Sequence, residues 1–179
     1  PTFDVAQCAA HNTTCFNKNM SGGSFNNVGS PDSSCAVPPP GDCTAAICAA
    51  ANAAYASRMS SAGAEDTNNG RLACAWAVNQ VLSRAGVAPV DGLNVGFMEN
   101  ALRGGRGTAV SQSQAQCGDI VIQAGRHHVG ICLDAGCTRV VSNSSSRATF
   151  SWISNISFEA GSAGYNEGPG RIYRVNCPR

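Results

Sequence analysis

The sequence predicts an α+β fold, with helices first, an antiparallel β-sheet after them, and disulfides holding the two together. Three observations lead there. Apolar residues recur at helical spacing between about residues 42 and 102. From residue 119 onward they fall into short runs bounded by Gly, Asp and Asn, as strands do. Ten cysteines in 179 residues, with only 13% charged residues, fit a chain stapled by disulfides in an oxidising compartment.

Residues 1–41 show neither period. They hold Cys8, Cys15 and Cys35 among Asn, Ser and Gly and read as a disulfide-stapled extension, either a cover that ties down the N-terminus, the favoured reading, or a substrate-recognition or wall-binding element; residues 42–179 form the main domain. Pro38–Pro40 stiffen the junction, and Asp42 or Thr44 caps a helix that runs to about Met59, with Ile47, Ala51, Tyr55 and Met59 along one face. A Gly, Asn and Asp loop, SSAGAEDTNNG, leads into a second helix over Arg71–Gly86, for which Asn68 or Asn69 is the expected cap. Its buried face is Ala75, Val78, Val81, Leu82 and Ala85. A shorter helix over Val95–Leu102 stops at the Gly-rich turn 104–107. Strands are expected at 119–123, 128–133, 138–142, 148–153 and 171–175.

Composition excludes several classes of partner. A net charge of +1, with twelve Lys and Arg in no long run, gives no electrostatic case for nucleic acid or an anionic membrane surface. No apolar stretch has the length of a membrane span, and a chain that begins at Pro1 reads as a processed, secreted protein, expected to be a monomer. No CxxC pair or HxxxH exists, and His127-His128 lacks usual zinc-ligand spacing, so neither a metal nor any other cofactor is expected. Asn-X-Ser/Thr sequons stand at Asn12, Asn19, Asn143 and Asn155.

Cys74 is the candidate nucleophile. It lies where the second helix begins, and there unpaired N–H groups and the helix dipole favour the thiolate. If it is unpaired, nine cysteines remain, hence at most four disulfides and one further thiol, for which Cys117 is the candidate. Cys132 and Cys137 flank a hairpin turn and are expected to pair. Cys8, Cys15, Cys35, Cys43 and Cys48 are expected to pair largely among themselves, with Cys177 drawing the C-terminal tail onto the domain.

A cysteine that attacks an amide carbonyl needs an imidazole to pass its proton to the leaving amine, and a polar group to orient that ring. The segment GDIVIQAGRHHVGICLD carries both candidate bases at the start of a strand. His127 and His128 point to opposite faces; His128 shares one with Gly130 and Cys132, away from Val129, Ile131 and Leu133. Alternation therefore sets His128 on the outer face if the cysteine helix covers the apolar side, unless the site sits at the strand's end. His127 is a surface or substrate-facing group, and Trp76 and Trp152 are core aromatics.

The order Cys74 at a helix start, GDIVI, HVGI, then VVSNSSS resembles the NlpC/P60 and CHAP branches of the papain-like cysteine peptidases and amidases, over about residues 65–158. The resemblance implies a papain-like fold, Cys74 as nucleophile and His128 as base, and a third polar residue on the next strand. Asn143 is the first choice for that residue and Ser142 the second. Leu72-Ala73 before the cysteine and Ala75-Trp76 after it depart from the NlpC/P60 pattern of Asp and Ser-Gly. The backbone N–H of Cys74 is one expected oxyanion donor, with Asn68 or Asn69 as a possible second. The implied activity is hydrolysis of an amide in bacterial peptidoglycan or its muropeptide fragments, in the stem peptide or between muramic acid and L-alanine. The alternative is a secreted, disulfide-rich binding or structural protein in which Cys74 is bridged.

Overall fold

The computed structural model describes residues 42–90, 92–159 and 167–177. The N-terminal extension, with Cys8, Cys15, Cys35 and the sequons at Asn12 and Asn19, lies outside them. Three helices precede and flank the sheet: α1 (Thr44–Ala56), α2 (Cys74–Arg84) and α3 (Val95–Ala101). The N-cap of α1 is Cys43, which offers no side-chain acceptor, so neither Asp42 nor Thr44 is the cap residue; Asp42, one residue earlier, still accepts the Thr44 N–H on Oδ1 at 2.9 Å. Ile47 and Ala51 are buried on its inner face, while Met59 is buried just beyond the helix end, where Arg58 takes a left-handed φ of 48°.

Six antiparallel strands follow: β1 (Gly107–Val110), β2 (Ile120–Ile122), β3 (Val129–Cys132), β4 (Val140–Ser144), β5 (Thr149–Ser154) and β6 (Arg171–Val175). Their spatial order is β1-β6-β2-β3-β4-β5, so the last strand returns between the first and second. β1 was not foreseen. Its four residues begin inside the Gly-rich turn, and only pairing with β6 makes them a strand.

Alternation along the strands divides the sheet into two apolar layers. Ile120, Ile122, Val129, Ile131, Val141 and Phe150 pack under α1 and α2, against Ile47, Val78, Val81 and Leu82. The opposite face is not left to solvent: Val121, Cys132, Val140 and Ile172 meet Phe158, Ala115 and Cys137 in a second, smaller core. This second layer is what encloses His128.

Among the described residues three disulfides fasten the chain. Cys132–Cys137 closes the β3–β4 connection as expected. Cys43–Cys177 fastens the end of the domain to the start of α1, and Cys48–Cys117 fastens α1 to the turn before β2. Two expectations are thereby corrected: Cys117 is bonded, not a spare thiol, and Cys43 and Cys48 pair with distant cysteines, not with the extension. Both corrections share a cause, since α1 lies against two segments remote in sequence, the end of β6 and the turn before β2, and sequence proximity carries no information about those contacts. Among the described residues, no helix is long and apolar enough to cross a membrane.

Candidate active site

α2 begins three residues after the expected start at Arg71, and Cys74 is its first residue. Its N-cap is Ala73, which has no side-chain acceptor to offer; Asn68 and Asn69, the expected caps, instead take left-handed φ values of 50° and 53° in the preceding turn. The first intrahelical bond runs from the Ala77 N–H to the Ala73 carbonyl, so the N–H groups of Cys74 and Ala75 have no partner within the helix. Both favour the negative form of the Cys74 sulfur, as does the backbone N–H of Val129 on β3. The sulfur thus occupies the place a capping oxygen would take. Burial acts the other way and is the larger effect, holding the thiol pKa above its ordinary value. Cys74 is half-buried and is the unpaired cysteine among the described residues.

Val129 is the residue after His128. The sulfur therefore lies on the side of the strand that His128 immediately precedes. Sγ and the imidazole make no direct hydrogen bond with each other among the described residues. The ring lies on the face opposite α2, as alternation requires, at the first position before β3. It is enclosed edge-on by Trp152, at a centroid distance of 4.9 Å, and by Phe158, at 5.2 Å. Nε2 is 2.9 Å from Ser142 Oγ. Loss of solvent lowers the imidazole pKa from an ordinary 6.5 to about 4, so the ring is neutral at pH 7.

The partner of His128 is therefore Ser142, the second choice, and not Asn143. Ser142 pairs with Gly130 across β3–β4 and shares its face, whereas Asn143 pairs with Phe150 on the side of the helices. There Asn143 Oδ1 accepts from Ser61 Oγ at 2.7 Å, and Nδ2 donates to the Gly70 carbonyl at 2.8 Å. Asn143 is buried and its amide nitrogen engaged, so the folded domain does not present this sequon for glycosylation.

His127 is exposed, as anticipated, and stands 3.7 Å from Glu167. Trp152 packs on the imidazole, closer to the site than a remote core aromatic would be; Trp76 packs against the helix-side core. Two features near the histidine turn were not read from the sequence. Glu99 of α3, fully buried, binds Arg126 and Arg171 and accepts from Tyr173 Oη at 2.8 Å. Arg171 Nη1 also donates to the Ala124 carbonyl at 3.2 Å, so this carboxylate secures the turn that delivers His128. Gln123, across from His128, accepts the His127 N–H at 3.2 Å while its buried Nε2 has no partner. A lone Glu in a short helix and a Gln after a strand carry no motif, and only the fold reveals them. A cavity of about 400 Å³ lies elsewhere, between β1, β6 and Ile156, and neither Cys74 nor His128 lines it.

No protein-family model and no curated protein matches the chain.

Proposed function

We propose that the protein is a secreted cysteine hydrolase of papain-like architecture that cleaves an amide bond in bacterial peptidoglycan. The observation that carries the hydrolase reading is the environment of Cys74: an unpaired cysteine at the head of a helix, its sulfur facing backbone N–H groups, one of which belongs to the residue next to a buried histidine. The order of helices and antiparallel strands fits what the NlpC/P60 and CHAP resemblance implies. That resemblance alone supports peptidoglycan as substrate. Three disulfides and the absence of a membrane-crossing helix among the described residues are compatible with work outside the cytosol.

Burial raises the thiol and lowers the imidazole, and both effects favour a neutral pair at rest over a thiolate–imidazolium pair. The proton then moves as attack proceeds. With Nε2–H donating to Ser142 Oγ, Nδ1 keeps the lone pair that would take the thiol proton, a transfer that requires Sγ to reach the imidazole around the start of β3. Sγ bonds to the carbonyl carbon, and the tetrahedral intermediate collapses as His128 returns the proton to the departing amine. Water, deprotonated by His128, then attacks the thioester, and the thiol leaves with that proton. The competing reading is a non-catalytic binding protein in which Cys74 is bridged, and a free-thiol count on the unreduced native protein separates the two; among the described residues Cys74 is unpaired.

The test is release of soluble fragments from purified sacculi. Wild type releases muropeptides and Cys74→Ala releases none. If wild type releases none from walls of several chemotypes across pH 5–9 while Cys74 still reacts with iodoacetamide, the substrate is wrong and the nucleophile stands.

A further inference from the structure

Ser142 and Asn143 are neighbours on β4, yet they serve opposite faces of the sheet. Ser142 meets the imidazole at 2.9 Å. Asn143 reaches back into the segment between α1 and α2 and grips it at two points, Ser61 and the Gly70 carbonyl. Both halves of its amide are used, and the group is buried.

This segment carries the chain into Cys74. Its beginning is held to β5, with the Ser61 N–H donating to the Ala148 carbonyl at 2.8 Å. Its end is held at Gly70, four residues before the nucleophile. Gly70 has a φ of +83°, and a Cβ there would lie 2.7 Å from Ser61 O, Ser61 Oγ and Ala148 Cβ, so no side chain fits between the end of this segment, its own beginning and the β4–β5 turn. The Gly70 N–H is itself fixed by Thr67 Oγ1 at 3.0 Å. Between Gly70 and Cys74 there are only three residues, and the N-cap Ala73 contributes no side-chain bond. The direction in which the Cys74 and Ala75 N–H groups point is accordingly set by how the chain leaves Gly70.

The strand that presents both residues is itself irregular at this place. Ser142 pairs with Trp152 and Asn143 with Phe150, so Ser151 is an extra residue on β5 and the ladder bulges between them.

We infer that Ser142 and Asn143 form one positioning dipeptide with divided duties: Ser142 orients the base His128, and Asn143 fixes the loop and helix start that orient the nucleophile Cys74. The inference rests on the assignment of Cys74 and His128 proposed above. It makes Asn143 a positioning residue for the thiol, where sequence reasoning had made it a partner of the imidazole.

The experiment reads the two limbs separately in the same folded protein. Alkylation of Cys74 by iodoacetamide, followed by peptide mass mapping, reports the thiolate; ¹⁵N shifts of the His128 ring report its tautomer. Asn143→Asp keeps the acceptor for Ser61 and removes the donor to Gly70. It should slow Cys74 alkylation at pH 8 about tenfold, the effect of a thiol pKa raised by one, and leave the His128 tautomer unchanged. Ser142→Ala should disperse the tautomer and keep alkylation within about twofold of wild type. Ser61→Ala, a milder change that leaves the Gly70 bond, should slow alkylation about threefold and serves if Asn143→Asp does not fold. The inference is overturned if these variants alkylate at the wild-type rate or faster, as a merely loosened and wetter thiol would. It also fails if Asn143→Asp disturbs the imidazole instead. A wild-type Cys74 that resists alkylation in the native protein would instead remove the nucleophile assignment beneath it.

Discussion

Acidification should destabilise this protein through His128 before Asp42 or Glu99 responds. His128 titrates at about 4 in the folded protein because burial disfavours its charged form, and near 6.5 when unfolded. The unfolded chain therefore binds a proton that the folded chain does not, over the interval between these values. The stability held by the neutral ring is complete above pH 6.5, falls as pH drops through 6.5 toward 4, and changes no further below that. From pH 7 to pH 4.5 the loss is about 2 kcal/mol, a fall in Tm of roughly 5–10 °C for a domain of this size. Asp42 and Glu99 leave this window clear. A hydrogen bond from Thr44 holds the Asp42 carboxyl below its usual value. Burial pushes Glu99 up, but hydrogen bonds from Arg171 and Tyr173 and the charges of Arg171 and Arg126 outweigh it and leave that carboxyl low as well. Stability from both groups is present above their unfolded values of 3.8 and 4.5 and is lost only below them. Urea denaturation of wild type and His128→Gln at half-unit steps from pH 7 to 4.5 measures the slope, which should vanish in the variant. An NMR titration of His128 with a midpoint near 6.5, or an equal slope in both proteins, would refute the enclosure of the ring by Trp152 and Phe158.

Two further substitutions probe the scaffold of the site. Glu99→Gln leaves Arg126 and Arg171 sharing no carboxylate and should cost about 2–3 kcal/mol, less than for a fully buried pair because the two arginines are 39% and 42% exposed; an unchanged denaturation midpoint would show that the cluster does not hold the histidine turn. Gly118→Ala should cost at least about 2 kcal/mol, because φ is +99° and the added Cβ would fall inside contact distance of the Thr44 carbonyl oxygen. Native Cys48–Cys117 pairing in a folded, wild-type-stable Gly118→Ala protein would contradict the close approach of α1 to this turn.

Much of the fold was legible because it is local. Helical periodicity located α1, α2 and α3 to within a few residues, and short apolar runs located five of the six strands. Cys74 at the head of α2 follows from where that periodicity begins, and Cys132–Cys137 follows from a five-residue separation across one connection. Even the outward face of His128 follows from alternation along HVGI.

What the local pattern lacked was any account of what lies opposite. Alternation set His128 away from the helices, but only the folding of Phe158 and Trp152 over that face turns an outer position into a buried one with its pKa near 4. Cys43, Cys48 and Cys117 found partners 134 and 69 residues away, distances over which sequence carries no pairing signal. The clearest case is Ser142 and Asn143. Both are small, polar and able to bind an imidazole, and chemistry alone favoured the asparagine. Adjacent residues on a strand face opposite ways, so the choice between them was made by which side of β4 the histidine occupies, and that is a property of the assembled sheet.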